Sequence, residues 1–195
     1  MFTGIVTSIG KITQAAPRDG GLHLTVDAGM LDLSDVAVGD SIAVNGVCLT
    51  VIARTPTSFE ADVSGETLSC TVGLDAPGEV NLEKALRLSD RLGGHLVTGH
   101  IDGVGEVIKF HAVGESMLLA VRAPAELARY IARKGSIAVQ GVSLTVNEVR
   151  GPEFEVNLIP HTVAVTSLRH LKVGAKVNLE IDLMARYVER LTSAS

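Results

Sequence analysis

The most constraining feature of this chain is an internal repeat. Residues 41–51 read SIAVNGVCLTV, and residues 136–146 read SIAVQGVSLTV, 95 positions later. The same spacing relates further residues along the chain: Thr3 and Thr98, Gly4 and Gly99, Phe59 and Phe154, Thr67 and Thr162. A spacing that holds without gaps over roughly 65 residues indicates a tandem duplication, so the fold has to be built from two similar units.

Composition excludes several classes of protein. With 46% hydrophobic residues in 195, the chain carries enough apolar material for packed cores and is not a disordered protein. A net charge of −5 argues against a general nucleic-acid binder. No apolar run approaches the roughly 18 residues of a membrane-spanning helix. The first residues lack a basic region followed by an apolar stretch, so we expect no secretory signal and a cytoplasmic protein.

Each module reads as β-structure. Short segments rich in Val, Ile, Leu and Thr alternate with turn residues, which is typical of a sandwich or barrel. We predict strands in the first module at residues 4–9, 11–16, 22–28, 41–44, 47–55 and 58–63, with 80–85 as a closing strand. Asn45-Gly46 predicts a tight hairpin, whereas Gln140-Gly141 leaves the type of the second turn open. A closed barrel is favoured because a small open sheet exposes its edges.

Helical patterns are few. Residues 124–131 begin with Pro124 and show apolar spacing near 3.6, which predicts a short helix. The C-terminal residues from Leu183 to Leu191 place Leu183, Tyr187 and Leu191 on one stripe, with Met184 and Val188 beside it. That segment is too short to be stable alone. It therefore packs on its own barrel or on the same segment of another subunit.

Common nucleotide and hydrolase motifs are missing. The sequence contains no phosphate loop, no glycine fingerprint of a dinucleotide fold and no nucleophile elbow. His95 and His100 are five residues apart, and on a strand this spacing would send them to opposite faces, so we expect no metal site there. Each is interpreted as a hydrogen-bonded histidine or as a proton carrier.

Cys48 and Ser143 occupy equivalent positions of the repeat. Each is either a small residue packed inside a strand or part of a pocket, with Cys48 then able to act as a nucleophile or donor. Residues 62–67 and 157–162 also correspond, and each gathers polar groups after a strand. Their recurrence suggests that each barrel holds one copy of a similar polar heterocycle.

Four runs together resemble the riboflavin synthase family, alpha chain, over essentially the whole sequence. They are MFTGIV at 1–6, NGVCLTV at 45–51, GGHLVTGHI at 93–101 and GVSLTV at 141–146. The resemblance implies two six-stranded Greek-key barrels, with a C-terminal helix that holds a homotrimer together. It implies a transferase that dismutates two molecules of 6,7-dimethyl-8-ribityllumazine to riboflavin and 5-amino-6-ribitylaminouracil, without a metal or redox cofactor. An association with lumazine synthase stays open.

The resemblance also implies the site residues. The N-terminal pocket is expected to use the following residues: Gly4, Ile5, Val6, Cys48, Leu49, Thr50, Asp62, Val63, Ser64, Gly65, Glu66 and Thr67. The C-terminal pocket is expected to use another set: Gly99, His100, Ile101, Lys134, Ser143, Leu144, Thr145, Ile159, Pro160, His161 and Thr162. His100 and Thr145 are the groups nearest to proton abstraction from the lumazine C7 methyl. Phe2, Ser41 and Cys48 would handle the other lumazine, and Ser41 can equally be a strand-start hydroxyl.

Two other functions compete with this interpretation. A lumazine or flavin carrier, like the related bacterial fluorescent antenna proteins, would share the barrels without catalysis. A flavin-binding redox domain is disfavoured because no dinucleotide fingerprint is present. Retention of polar groups in both modules favours the enzyme. The expected domains are 1–92 and 93–183, with 184–195 as a tail for oligomerisation.

Overall fold

A computed structural model describes residues 1–193 of the chain and shows a closed antiparallel barrel in each module. The first barrel has six strands: β1 (Ser8–Arg18), β2 (Gly21–Asp27), β3 (Ser41–Val44), β4 (Val47–Arg54), β5 (Ser58–Val63) and β6 (Gly78–Lys84). They pair in the cyclic order β1-β2-β5-β4-β3-β6. A short helix, α1 (Gly65–Cys70), connects β5 to β6.

The second barrel repeats this topology. Its strands are β7 (Gly103–Val113), β8 (Ser116–Arg122), β9 (Ser136–Val139), β10 (Val142–Arg150), β11 (Glu153–Leu158) and β12 (Lys176–Ile181). They close in the equivalent order β7-β8-β11-β10-β9-β12. Helix α2 (Pro160–Val165) matches α1, and helix α3 (Leu183–Thr192) follows the last strand. The prediction of two six-stranded barrels with a C-terminal helix is confirmed.

The duplication extends to irregularities of the sheets. The first barrel has register shifts between Ile12 and Gln14 and between Val51 and Ala53. The second barrel has them between Val107 and Lys109 and between Val146 and Glu148, at the same spacing of the repeat. A bulge bends a strand and increases its twist, so these matched positions give both barrels the same curvature.

One strand prediction was wrong. Residues 4–9 and 11–16 do not form two strands, because Ser8–Arg18 is a single bulged strand and the sixth strand is Gly78–Lys84. Gly10 does not break the strand. A Cβ there would lie 2.4 Å from Leu82 Cδ1, so glycine serves close packing inside the barrel.

Alternation along the strands fills two separate cores. In β4 the side chains of Val47, Leu49 and Val51 are buried, and Thr50 is exposed. The first core includes Phe59 and the second includes the equivalent Phe154, both fully buried. This period of two, with one face packed inward, is what a closed barrel requires.

The two hairpin turns that precede β4 and β10 meet at the junction of the barrels. Asn45 and Gly46 have φ of 48° and 83°, and Gln140 and Gly141 have 49° and 77°, so the turns are alike. A Cβ on Gly46 would lie 2.7 Å from the Gly141 backbone nitrogen, and a Cβ on Gly141 would lie equally close to Gly46. Only glycine permits this approach.

Buried amides join the barrels beside these turns. Asn81 Nδ2 donates to the Gln140 carbonyl at 2.9 Å, and Asn178 Nδ2 donates to the Asn45 carbonyl at 3.1 Å. The two bonds are related by the repeat, since Asn81 and Asn178 hold equivalent places in β6 and β12. An approximate twofold axis therefore passes through the junction and relates one barrel to the other.

The helical predictions are refined by the structure. Residues Ala125–Tyr130 form a 3₁₀ helix, and a second one spans Ser167–His170. The C-terminal helix is capped by Asp182, whose side chain accepts from the Met184 backbone N–H at 3.0 Å. Residues 194–195 of the predicted tail lie outside the described part. Within residues 1–193, no helix is both long enough and apolar enough to span a membrane.

Candidate functional site

The segment before each barrel crosses to the other barrel. Phe2 and Val97 form an isolated antiparallel bridge through two backbone hydrogen bonds, and the residues that follow each of them lead to the opposite barrel. The Ser143 N–H then donates to the Gly4 carbonyl at 2.8 Å, and the Cys48 N–H donates to the Gly99 carbonyl at 2.9 Å. We call residues 2–6 and 97–101 the first and second crossover segments.

Glycine is required where each crossover segment meets the opposite barrel. Gly4 and Gly99 have φ of 74° and 80°. A Cβ on Gly4 would lie 2.6 Å from Ser143 Cβ, and one on Gly99 would lie 2.6 Å from Cys48 Cβ. Both the left-handed backbone and the lack of space exclude other residues.

The crossing changes the predicted grouping of site residues. Gly4, Ile5 and Val6 were expected in the N-terminal pocket, yet Gly4 bonds to Ser143 and Val6 packs on the second core. Gly99, His100 and Ile101 were expected in the C-terminal pocket, yet Gly99 bonds to Cys48 and Ile101 packs on the first core. The prediction assumed that each segment stays with its own module.

We therefore define two patches by barrel. The first patch lies on the first barrel and comprises residues 48–50, residues 62–67 and residues 99–101. The second patch lies on the second barrel and comprises residues 143–145, residues 159–162, residues 4–6 and Lys134. Each patch combines the outer face of a central strand, the start of a short helix and one crossover segment. The approximate twofold axis relates one patch to the other.

Strand alternation decides which predicted residues can face a ligand. In β4, Cys48 is half-buried and Thr50 is exposed, both on the outer face. In β10, Ser143 is likewise half-buried and Thr145 is likewise exposed. Leu49 and Leu144 point into the cores, so only their backbones are available at the patches. Val63 is buried for the same reason.

The segments after β5 and β11 differ in chemistry. Ser64 caps α1 by accepting from the Thr67 N–H at 3.1 Å, and Gly65 and Glu66 form the exposed first turn. Asp62 is exposed and bonds to His23 Nδ1 at 2.8 Å. In the second patch, Ile159 precedes α2 without a side-chain cap and Pro160 occupies the first turn. The exposed His161 and the half-buried Thr162 follow.

A buried histidine distinguishes the second patch. His95 Nδ1 lies 2.7 Å from Ser143 Oγ, and the residue is only 8% exposed. Desolvation lowers the pKa of His95, opposed by the charge of Asp182, so the ring is neutral near pH 7. Its Nε2 is buried with no hydrogen-bond partner among residues 1–193. A neutral imidazole of this kind can accept the Ser143 hydroxyl proton.

The two histidines of the sequence motif lie in different environments. Residues 93–102 form no strand beyond the single bridge at Val97. His95 is buried against Ser143 of the second barrel, whereas His100 is exposed beside the first barrel. Within residues 1–193, no three metal-binding side chains come together.

Two buried carboxylates hold the crossover segments. Glu83 accepts from Thr3 N at 2.7 Å, Thr3 Oγ1 at 2.7 Å and Gly4 N at 3.0 Å. Glu180 makes the matching bonds to Thr98 N, Thr98 Oγ1 and Gly99 N at 2.7, 2.7 and 2.9 Å. Burial raises the pKa of both carboxyls although these bonds favour the ionised form. Neither carboxylate is among the site residues predicted from the sequence, although VNLE recurs at residues 80–83 and 177–180.

Phe2 lies apart from the two patches, whereas Ser41 lies at the edge of the first patch, where it pairs with Thr50 across β3 and β4. Phe2 is 0% exposed and packs with Ala43, Val97 and Ala138 at the junction, so its ring has no free surface. Ser41 begins β3 and lines a cavity of about 750 Å³ on the first barrel. Thr3, Ile5 and Glu83 also line this cavity, which therefore adjoins the first crossover segment.

Lys134 lies in the turn before β9. It is exposed, has φ of 67°, and its N–H donates to the Val146 carbonyl at 2.7 Å. The equivalent residue of the first module is Gly39, with φ of 98° and a bond to the Val51 carbonyl at 2.8 Å. The same turn thus carries an ammonium group on the second barrel only.

Comparison with known proteins covers both modules. Residues 3–85 and residues 98–182 each match the sequence model of the lumazine binding domain. The riboflavin synthase of Photobacterium phosphoreum is 47% identical over 193 residues, covering 98% of this chain and 88% of the relative. Those of Brucella abortus and Mycobacterium tuberculosis are 43% and 46% identical, covering 98% of this chain and 98% of each relative.

Solved structures of a related protein have the same double barrel. LumP in complex with 6,7-dimethyl-8-(1'-D-ribityl) lumazine aligns with a TM-score of 0.81 at 25% sequence identity. LumP in complex with riboflavin aligns with a TM-score of 0.82 at the same identity. Each alignment covers 93% of this chain and 99% of the other chain.

Proposed function

The chain belongs to the lumazine binding domain family, and from that membership we propose that it is a riboflavin synthase. The enzyme converts two molecules of 6,7-dimethyl-8-ribityllumazine into riboflavin and 5-amino-6-ribitylaminouracil by transfer of a four-carbon unit. The observation that carries the proposal is the pair of twofold-related patches. Two identical substrates require two equivalent binding surfaces, and the duplication supplies them.

The predicted site residues are divided between these patches as the geometry groups them. One lumazine lies on the first patch, against Cys48, Thr50, residues 62–67 and the second crossover segment. The other lies on the second patch, against Ser143, Thr145, Lys134, residues 159–162 and residues 4–6 of the first crossover segment. Main-chain groups of Leu49, Val63 and Leu144 read the polar heterocycle, because their side chains are in the cores. Phe2 supports the junction and does not touch the substrate.

The reaction begins with loss of a proton from the C7 methyl of one lumazine, which leaves a carbanion-like exomethylene. His100 is the proposed proton acceptor and Thr145 its partner. Ser143 is the candidate nucleophile at C7 of the other lumazine on the second patch, whereas Cys48 lies on the first patch beside residues 99–101 and can act only on the lumazine held there. Ser143 is the better equipped, because neutral His95 accepts its proton as the oxygen attacks. Ser41 is assigned a role in handling the lumazine at the edge of the first patch.

His100 and Thr145 lie on different patches, so they meet only if two patches face each other. A face-to-face arrangement of two chains satisfies this requirement and holds both ring systems in register, which contributes up to about 7–11 kcal/mol to lowering the barrier. A homotrimer fits this arrangement. The exposed apolar side chains of α3 support it: Met184, Tyr187, Val188 and Leu191. We also propose a division into two domains, 1–92 and 93–183, with a tail at 184–195, together with a cytoplasmic location and an association with lumazine synthase.

A non-catalytic lumazine carrier is the alternative. LumP has the same fold, at 25% identity, and its structures contain lumazine and riboflavin. Identity to the riboflavin synthases is higher, at 43–47% over nearly the whole chain. The second patch also keeps its polar groups, since Lys134, Ser143, Thr145 and His161 are all present there.

Incubation of the pure protein with 6,7-dimethyl-8-ribityllumazine separates the two functions. We expect equal amounts of riboflavin and 5-amino-6-ribitylaminouracil, followed by absorbance and chromatography. Binding of lumazine without formation of either product would identify a carrier and overturn the proposal.

Complementation tests the shared site. His100→Ala and Thr145→Ala are each expected to be nearly inactive, and their co-expression should restore about a quarter of wild-type turnover. Random assortment makes one junction in four with an intact first patch facing an intact second patch. The double variant in one chain, co-expressed with wild type at matched ratio, is the control for dilution. No recovery in the mixture of single variants would place both residues in one chain's site.

A further inference from the structure

The C-terminal helix reaches the segment that carries His100. Arg186 Nη2 of α3 lies 2.6 Å from Asp102 Oδ1 and donates to the His100 carbonyl at 3.3 Å. One guanidinium therefore contacts both His100 and the residue two positions after it. A guanidinium holds a fixed fork of donors, so it constrains direction as well as distance.

Asp102 is itself firmly placed. Its side chain is 8% exposed, and Oδ2 accepts from the Ile181 N–H at 2.8 Å while its own N–H donates to the Leu179 carbonyl at 2.8 Å. Burial raises the pKa of Asp102, and Arg186 opposes this by favouring the carboxylate. A buried carboxylate that loses its cation is left uncompensated, so the pair is held together.

The second crossover segment is anchored at both ends. Glu180 binds Thr98 and Gly99 on one side of His100, and Asp102 with Arg186 binds the other side. The His100 N–H also donates to Thr98 Oγ1 at 3.3 Å. The backbone at His100 is thus fixed by β12 and by α3 together.

The first crossover segment has only one of these anchors. Glu83 binds Thr3 and Gly4 as Glu180 binds Thr98 and Gly99. The residue equivalent to Asp102 is Thr7, whose N–H and Oγ1 both donate to the Leu82 carbonyl at 3.0 and 3.2 Å. In the described residues, no helix or cation takes the place of α3 and Arg186 there.

We propose that Arg186 and Asp102 are positioning residues for His100, so that α3 controls the proton-transfer group of the first patch. The inference rests on the proposed function for its kinetic consequence. It also makes the helix that carries the exposed apolar stripe a direct support of the site. Contact of α3 with another copy therefore stabilises the geometry at His100.

A double-mutant cycle tests the kinetic consequence. Arg186→Gln should lower kcat about 10–100-fold with KM within about 3-fold, because misplacement of a reacting group affects turnover more than binding. Arg186→Lys should recover part of the loss. In a His100→Ala background, Arg186→Gln should have no further effect. An equal loss in both backgrounds would show a general structural role and overturn the proposal.

The matched control is Arg129→Gln. Arg129 Nη2 pairs with Glu189 Oε1 at 3.1 Å and so also ties α3 to the second barrel, but it does not touch the crossover segment. We expect wild-type kcat in this variant. A loss equal to that of Arg186→Gln would assign the effect to attachment of the helix in general.

An observation without turnover separates failure of this inference from failure of the proposed function. The imidazole ¹H–¹³C resonance of His100 should shift and broaden in Arg186→Gln. The exposed His111 of β7 should keep its wild-type resonance. If the His100 resonance is unchanged, the positioning role is wrong even in an active enzyme. If it moves in a protein that forms no riboflavin, the positioning role stands and the proposed function fails.

Discussion

The two barrels differ in side chains while their backbones agree. Strand order, bulge positions and hairpin turns recur at the spacing of the repeat, and the carboxylates that hold the crossover segments also recur, two residues beyond that spacing. Ser143 has a buried histidine beside it, whereas among residues 1–193 no side chain hydrogen-bonds Cys48 Sγ. The two copies therefore share the backbone features that shape the patches and differ in the side chains at the patch centres.

A second difference concerns the ends of the two barrels. Tyr130, the equivalent of Asp35, donates to Glu189, so α3 lies over this end of the second barrel. On the first barrel, Asp35 pairs with Lys84 and Arg87 at the wall of the open cavity. The equivalent surfaces therefore differ in exposure. The surface at Tyr130 is covered by α3, whereas the surface at Asp35 is accessible.

The largest expected effect tests whether the two crossover segments meet the opposite barrels in the same way. Gly4→Val and Gly99→Val should each cost at least about 2 kcal/mol in unfolding free energy and lower turnover more than about 100-fold, because both φ values and both close contacts exclude a side chain. Urea unfolding and initial rates measure this. Gly78→Val, where a Cβ meets no atom within 4 Å, is the control. Tolerance at only one of the two sites would break the equivalence.

A difference between the patches should appear at their central residues. Ser143→Ala is expected to lower kcat about 100-fold, because His95 can no longer act on a hydroxyl, and Cys48→Ala should cost about 10-fold or less. Cys48→Ser serves as the conservative control. Steady-state rates at saturating lumazine decide the matter. Equal losses for the two alanine variants would remove the distinction drawn from His95.

The buried carboxylates should respond alike to pH. The folded-state pKa of Glu83 and of Glu180 is raised above the ordinary 4.5. Each therefore favours folding below pH 4.5 and opposes it as pH rises through the raised value. Glu83→Gln and Glu180→Gln should thus gain stability relative to wild type as pH rises above 4.5. Urea unfolding followed by circular dichroism at several pH values measures the difference, and a constant difference would contradict this cause.

The smallest expected effect on stability concerns the hydrogen bond that joins α3 to the second barrel. Tyr130→Phe should lower the unfolding free energy by about 1 kcal/mol, since it removes one hydrogen bond to a carboxylate. Phe110→Leu would not serve as a control for this variant, because the Phe110 ring packs on the second core. Thermal unfolding detects the change. A neutral result would mean that Tyr130 does not hold α3 in solution.

Much of the fold could be predicted because a repeat constrains both halves at once. The alternation in residues 47–51 and 142–146 predicts strands, and the structure shows these strands with Cys48 and Ser143 on the outer face. The pairing of Gly4 with Ser143 could not be predicted, since a repeat shows which residues are equivalent but not which copy they contact. The partnership of His95 with Ser143 was missed for the same reason, as it joins positions 48 residues apart.

The crossed leading segments make the two units depend on each other. Each patch is finished by a segment that precedes the other barrel, so one unit alone would lack part of its own patch. Two separate units could complete both patches only by exchanging these segments. Within one polypeptide the chain itself fixes the exchange, so the two copies can differ in side chains without losing contact.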